Sequence, residues 1–164
     1  MKRPESDFAR VVEEQIWRVY GFISYRVANR ETVEDLTQAT FERALRAWPR
    51  YDARRGSEST WLLAIARNLV IDHHRADRSD RHTVLDEEAL APVAGPDAAG
   101  VFTAPELLEA LGKLAERERE IIALKFGGDL TGPEIAQMTG LSVANVQQIL
   151  SRSLRKVREI LESS

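Results

Sequence analysis

The stretch TGPEIAQMTGLSVANVQQILSRSLRKVR, Thr131 to Arg158, reads as two helices joined by a tight turn. Thr131 and Glu134 have the spacing of a capping box, with Pro133 in the first turn. Ile135, Ala136 and Met138 supply a short apolar face, and Gly140 falls where a helix end favours a left-handed residue. Ser142 can cap a second helix at once. On that helix Val146, Ile149, Leu150, Ser153, Leu154, Val157, Ile160 and Leu161 recur at about 3.6-residue spacing and define an inner face. The outer face carries Ala144, Asn145, Gln147, Gln148, Ser151, Arg152, Arg155, Lys156 and Arg158, and no acid occurs from Ser142 to Arg158. A short helix, a glycine turn, then amides early and cations late is the layout of a DNA-binding helix-turn-helix. Amides near the start can reach base edges, and cations further on can neutralise phosphates. The plainer alternative is a helical hairpin with a solvated polar face.

With 164 residues, 43% of them hydrophobic, the chain can form one domain or two small ones. It has no apolar run of the length a membrane span needs. The start, MKRPESDFARVVEE, turns acidic before an apolar stretch forms, so no secretory signal is expected. Cysteine is absent, which excludes disulfides and thiolate chemistry and fits a cytoplasmic protein. The histidines are His73, His74 and His82; the adjacent pair would point to different sides of a helix, so no metal site is expected. There is no phosphate-cradling glycine loop and no nucleophile motif, so neither an enzyme nor a cofactor is expected. The net charge of −3 argues weakly against nucleic acid, but its distribution matters more. Residues 83–104 hold Asp86, Glu87, Glu88 and Asp97 and no base, while the flanking parts are nearly balanced. Such a chain needs a second source of affinity for DNA, because phosphate neutralisation supplies most non-specific binding.

A first helix is predicted from about Ser6 to Ala28, with Phe8, Val12, Ile16, Val19, Tyr20, Ile23 and Val27 at helical spacing and a weak point at Gly21, near which it can break. Thr32 is expected to cap a second helix that Pro49 stops after Trp48. Arg50 to Ser59 reads as a polar loop, and Thr60 to Ala76 as a third helix with Leu62, Ile65, Ala66, Leu69 and Val70 inward. Trp61, Asn68 and Arg75 lie near one edge of that helix beside an arginine-containing loop, a set that suits unstacked bases. From composition alone, Trp61 reads instead as core and Arg75 as a surface ion-pair partner. From Asp77 to Ala104 periodicity is lost, and Pro92, Gly95, Pro96 and Gly100 accumulate. Two further helices follow, one with Leu107, Leu108, Leu111 and Leu114, the other from Arg117 to Phe126 and ended by Gly127 and Gly128. The expected fold is all-α: two small helical domains, residues 1–80 and 105–164, joined by a flexible acidic linker at 81–104, the second ending in the helix-turn-helix.

Three stretches resemble bacterial sigma factors. DLTQATFERALRAW (Asp35–Trp48) is similar to their core-polymerase-binding helix. STWLLAIARNLVIDHHR (Ser59–Arg75) is similar to the −10-reading segment of the extracytoplasmic-function group. LGKLAEREREIIALKF (Leu111–Phe126) with the helix-turn-helix resembles that group's −35-reading domain. The resemblance covers nearly everything outside the linker and implies a promoter-specificity subunit of RNA polymerase. It implies that Asp35, Leu36, Gln38, Phe41, Glu42 and Arg43 dock on the clamp coiled coil of the largest subunit. Leu107, Leu111, Leu114, Ile121 and Leu124 would pack on the flap of the second-largest subunit, and the linker would run toward the RNA exit path. Tyr51, Arg54 and Arg55 lie in the loop that would receive a flipped −10 base. Trp61 and Asn68 would sit where the strands separate, with Arg67 and Arg75 near the backbone; this reverses the composition-only reading of Trp61. Tethering to polymerase would also supply the missing affinity, by raising effective concentration.

The chain departs from the family where the recognition helix starts. Thr, then Lys and Ser or Arg, is usual there; this chain has Asn145, Gln147, Gln148 and Ile149. Family −35 preferences therefore do not carry over. Amides pair best with adenine, so Asn145 and Gln148 are expected to read bases with help from Gln147. Ser142 and Ala144 would lie at the DNA, and Arg152, Arg155 and Lys156 would hold phosphate. Two other readings stand beside this one. A free-standing helix-turn-helix regulator would need dimerisation and a more basic surface. A sigma-like decoy would bind polymerase or an anti-sigma factor without reading DNA. An anti-sigma factor that clamps the two domains is a natural partner, since a mobile linker allows two arrangements.

Overall fold

The structure, a computed structural model, describes residues 5–79 and 105–163; the linker expected at 81–104 lies outside the described residues. The elements are helical: α1 (Glu5–Arg26), α2 (Arg30–Ala47), a 3-10 turn (Trp48–Arg50), α3 (Glu58–Ser79), α4 (Pro105–Gly112), α5 (Glu116–Ile122), a π-helical turn (Ala123–Gly127), α6 (Gly132–Thr139) and α7 (Val143–Glu162).

Helices α1, α2 and α3 form one unit. Val19, Ile23, Val33, Ala44, Leu62, Ala66 and Val70 meet at its centre with almost no exposed surface. An aromatic column closes one end. Phe8 lies 5.7 Å from Trp48, Trp48 stacks on Tyr51 at 5.4 Å, and Tyr51 meets Trp61 at 4.9 Å between ring centroids. Pro49 ends α2 and tightens the chain into the 3-10 turn that sets Trp48 and Tyr51 face to face. Thr32 does not cap α2. Asn29 does, its side chain accepting from the Thr32 N–H at 3.1 Å, and Thr32 sits in the first turn.

Helices α4 to α7 form the second unit. Its helix ends follow from local spacing. Thr131 and Glu134 exchange both capping-box hydrogen bonds, Gly140 has φ 77°, and the Ser142 hydroxyl accepts from the Asn145 N–H at 3.1 Å. The buried stripe of α7 is narrower than its apolar pattern. Val146, Leu150, Ser153 and Val157 are buried; Leu154 and Leu161, at one edge, remain 44% and 38% exposed. The helices packed on α7 cover only its central line.

The two units are packed together. Helix α1 does not break at Gly21; it continues to Arg26 and crosses α5 and the π-helical turn. A Cβ on Gly21 would stand 2.7 Å from the Gly127 carbonyl oxygen, and one on Gly127 would stand 2.6 Å from that of Gly21. Gly21 therefore permits a backbone-to-backbone approach rather than a bend. Arg119 Nε of α5 donates to the Tyr25 carbonyl at 2.7 Å, and Arg18 approaches Asp129 at 3.5 Å.

Burial and the neighbouring Arg26 push the Arg119 guanidinium down to about 10. His74 on α3 belongs to the same cluster. Burial, then Arg26, His73 and Arg119, hold its imidazole down at about 4, against a hydrogen bond with the Arg26 backbone.

Two outcomes follow from this packing. Gly140 has open space around it, so Gly140→Val costs only left-handed backbone strain, about 1–2 kcal/mol by urea unfolding; an unchanged midpoint contradicts the assigned turn. The unfolded chain protonates His74 near pH 6.5 while the folded chain does so only near 4, so stability is full above that window and falls as pH drops through it. Half-burial trims the effect to about 1 kcal/mol at pH 5. His74→Gln should flatten this part of the profile, and equal slopes for wild type and variant exclude His74 as its source.

Candidate nucleic-acid interface

The loop between the 3-10 turn and α3 is internally braced. The Tyr51 hydroxyl donates to the Gly56 carbonyl at 2.8 Å, Asp52 accepts from the Arg54 N–H and pairs with its guanidinium at 3.1 Å, and the Ser57 hydroxyl accepts from the Thr60 N–H at 3.2 Å. Behind the loop lies a cavity of about 300 Å³. Tyr51 and Trp61 wall it, Arg50, Asp52 and Arg55 line it, and Glu134, Gln137 and Met138 of α6 complete it. Its aromatic wall is preset by packing, and its charged lining is two arginines and two acids. Such a pocket can hold a planar base whose phosphates lie outside.

The structure brings Tyr51, Arg55 and Trp61 to this cavity. Tyr51 is buried and Trp61 half-buried, so Trp61 belongs to both core and pocket. The Arg54 side chain points to solvent, 91% exposed, beside Asp52. Asn68 and Arg75 are exposed further along α3. Arg67 is not free: its Nε donates to Glu120 of α5. Glu120 and the inter-unit contact were missed in the sequence, where Glu120 is one acid in a charged run.

On α7, Ser142, Ala144, Asn145, Gln147, Gln148, Arg152, Arg155 and Lys156 are all exposed on the outer face. Two have additional roles. Gln147 lies over the start of α6, its amide 3.0 Å from where a Gly132 Cβ would be. Lys156 pairs with Glu118 at 2.9 Å. Burial would raise the Glu118 carboxyl, but hydrogen bonds from Lys156, the Ala115 N–H and Ser153 hold it below the usual carboxylate range.

Asp35, Gln38, Glu42 and Arg43 are exposed on α2, with Gln38 donating to Glu42 at 3.0 Å; Leu36 is half-buried and Phe41 buried. An apolar groove of about 590 Å³ runs beside them between α1 and α2. Ile16 and Leu45, which belong to the apolar patterns of α1 and α2, are each 44% exposed and line it. Of the expected flap-binding set, Leu111, Leu114, Ile121 and Leu124 are buried in this arrangement and Leu107 is half-buried.

Residues 12–79 match the Sigma-70 region 2 family, and residues 105–157 match Sigma-70 region 4. The chain is 32% identical to the ECF RNA polymerase sigma factor BldN of Streptomyces coelicolor over 94% of its own length, and spans 60% of that longer relative. It is 32% identical to the ECF RNA polymerase sigma factor SigC of Mycobacterium tuberculosis, covering 89% of this chain and 77% of the relative. Its fold is like that of the sigma factor RpoE of Bartonella quintana, solved in complex with the anti-sigma factor NepR, with TM-score 0.76, 20% identity and coverage of 95% and 97% of the two chains. CnrH, solved with the cytosolic domain of CnrY, gives TM-score 0.73 at 24% identity over 98% of this chain and 91% of that one. With both halves of the chain matched in order and relatives of this identity covered over most of their length, the protein belongs to the extracytoplasmic-function group of the RNA polymerase sigma-70 family.

Proposed function

We propose that this chain directs core RNA polymerase to promoters by reading a −35 element with α7 and capturing −10 bases at the Tyr51–Trp61 pocket. The observation that carries this reading is the pairing of two surfaces on one chain. An acid-free amide and arginine face on a helix-turn-helix suits duplex DNA. An aromatic-walled cavity with arginines in its lining suits a single strand. The protein makes no bond itself. Stacking of about 1–3 kcal/mol per captured base offsets the few kcal/mol that unpairing costs.

Asp35, Gln38, Glu42 and Arg43, with the groove lined by Ile16 and Leu45, form the face offered to the polymerase clamp. Its carboxylates and amide suit an arginine-bearing coiled coil. Leu107 and the half-buried surface around it are what remains for the flap. Polymerase then holds both units near promoter DNA, which is why a chain of charge −3 can serve. A cytoplasmic location follows from that partner. An anti-sigma factor is the natural regulator, as for the Bartonella RpoE solved with NepR.

Run-off transcription with purified bacterial core polymerase and a random promoter library tests this reading. Selected templates should share two spaced elements. Gln148→Ala should relax preference at one −35 position by about tenfold or more, the value of a bidentate contact. Trp61→Ala should lower open-complex formation while leaving polymerase binding intact. Equal weakening on all promoters by Gln148→Ala rules out base reading by that residue; no selected templates removes the promoter role.

A further inference from the structure

The first turn of α3 has to present Trp61, and the helix cannot secure that turn alone. The opening N–H groups of a helix lack partners within it, so its first turn is held by what surrounds it. The Ser57 hydroxyl accepts from the Thr60 N–H at 3.2 Å, and α1 supplies two more anchors. Arg10 pairs with Glu58, the opening residue of α3, at 2.9 Å. Arg10 is 48% exposed and also pairs with Glu14, so this anchor is a weak one. The second anchor is set deeper. Gln15 is 8% exposed, and its Oε1 accepts from the Ser59 hydroxyl at 2.8 Å and from Arg18 Nη1 at 2.9 Å. Arg18 Nη1 also donates to the Ser59 oxygen at 3.0 Å. The three groups close a triangle in which the Gln15 oxygen receives both of the others.

This triangle has a cost. Arg18 Nε is buried without a hydrogen-bond partner, the one such side-chain atom among the described residues. Apolar side chains at both positions would join α1 to α3 without it. What the polar contact adds is direction, because a hydrogen-bonded hydroxyl has one favoured orientation and an apolar contact has none. Ser59 and Trp61 are two residues apart, hence about 200° apart around the helix. Holding Ser59 against α1 therefore turns Trp61 to the other side, where its ring meets Tyr51 at 4.9 Å and borders the cavity.

We propose that Gln15 is a positioning residue for base capture: by holding the Ser59 hydroxyl and Arg18 together, its amide oxygen fixes the first turn of α3 in the rotation that presents Trp61 to an unpaired base. This rests on the reading of the Tyr51–Trp61 pocket as the −10 site. Gln15 does not line the cavity and acts through Ser59. Arg18 also approaches Asp129 of the second unit at 3.5 Å, whereas the side-chain partners of Gln15 both belong to the first.

Gln15→Leu removes the acceptor at nearly constant volume, and Gln15→Glu keeps an oxygen there with a charge suited to Arg18. Full-length wild type and variants, bound to core polymerase, would be offered forked promoter DNA that is single-stranded through the −10 element, either intact or with one −10 base removed to leave an abasic site. Wild type should prefer the intact strand by about tenfold at the captured base, within the range of base–aromatic stacking. Gln15→Leu should lose most of that preference while binding the abasic fork and core polymerase as wild type does, and Gln15→Glu should restore it. Ser59→Ala should follow Gln15→Leu and guards against misfolding of the leucine variant. Full preference in Gln15→Leu overturns the proposal, as does an equal loss on intact and abasic DNA, which marks a purely structural role. A second readout needs no DNA. The Trp61 indole N–H resonance of the isotope-labelled full-length protein, identified by its loss in Trp61→Phe, should shift or broaden in Gln15→Leu and stay in place in Gln15→Glu. A resonance unmoved in Gln15→Leu overturns the proposal. If wild type shows no base preference while the indole responds as expected, the −10 reading of the pocket fails and the positioning of Trp61 by Gln15 stands.

Discussion

Two helical backbones meet without intervening side chains only where neither carries a Cβ, and the contact of Gly21 with Gly127 imposes that condition on the whole molecule. Side chains ordinarily hold helix axes about 8–10 Å apart. Here the carbonyl oxygen of each glycine lies 2.6–2.7 Å from where the other's Cβ would be. The π-helical turn serves this approach. Its wide hydrogen bond, from the Gly128 N–H to the Ala123 carbonyl, carries the chain past α1. Gly128 is then pressed against Leu63 of α3, 2.8 Å from where its Cβ would be. Neither glycine is there for an unusual dihedral; the left-handed step is taken by Asp129 at φ 55°. With the approach set, Arg119 reaches the Tyr25 carbonyl, Arg67 reaches Glu120, and α6 comes down over the aromatic pocket.

The outer face of α7 shows how a modestly acidic protein keeps a basic helix face in solvent. Only the line Val146, Leu150, Ser153 and Val157 is buried, so most of the circumference stays in solvent. The cations there are not equivalent. Lys156 is tied to Glu118 at the start of α5, and that carboxylate is already stabilised by the Ala115 N–H. Lys156 thus fastens α7 to α5 as well as contributing charge, while Arg152 and Arg155 are exposed. A phosphate would have to compete with Glu118 for Lys156, which weakens its contribution to DNA affinity relative to the arginines.

How much of this was legible depended on the range of the signal. Thr131, Glu134, Gly140 and Ser142 act on residues three or four positions away, and each does what its spacing implies. Asn29 was overlooked in favour of Thr32 because either residue type can cap, and only the path of the chain decides which side chain reaches the free N–H. Gly21 was misread because a helical glycine looks the same in sequence whether it weakens the helix or admits a distant backbone. The leucines given to the flap illustrate the same gap: helical periodicity says that one face is apolar, not whether the cover is the chain's own core or a partner. Arg67 and Glu120 lie 53 residues apart, and nothing local couples them.

Trp61 joins the two readings that its composition set against each other. It is half-buried, with its ring 5.9 Å from Trp48 and 4.9 Å from Tyr51, so packing fixes its orientation. The same ring also borders the cavity. A ring held this way loses little freedom when a base stacks on it, which is the benefit of building a binding wall from the core. The cost is an apolar surface that water wets poorly while the site is empty. Covering it with α6 reduces that exposure and keeps the ring in place. The core packing of Trp61 therefore also fixes the wall of the cavity, and the fold that exposes such a wall has a reason to provide its own cover.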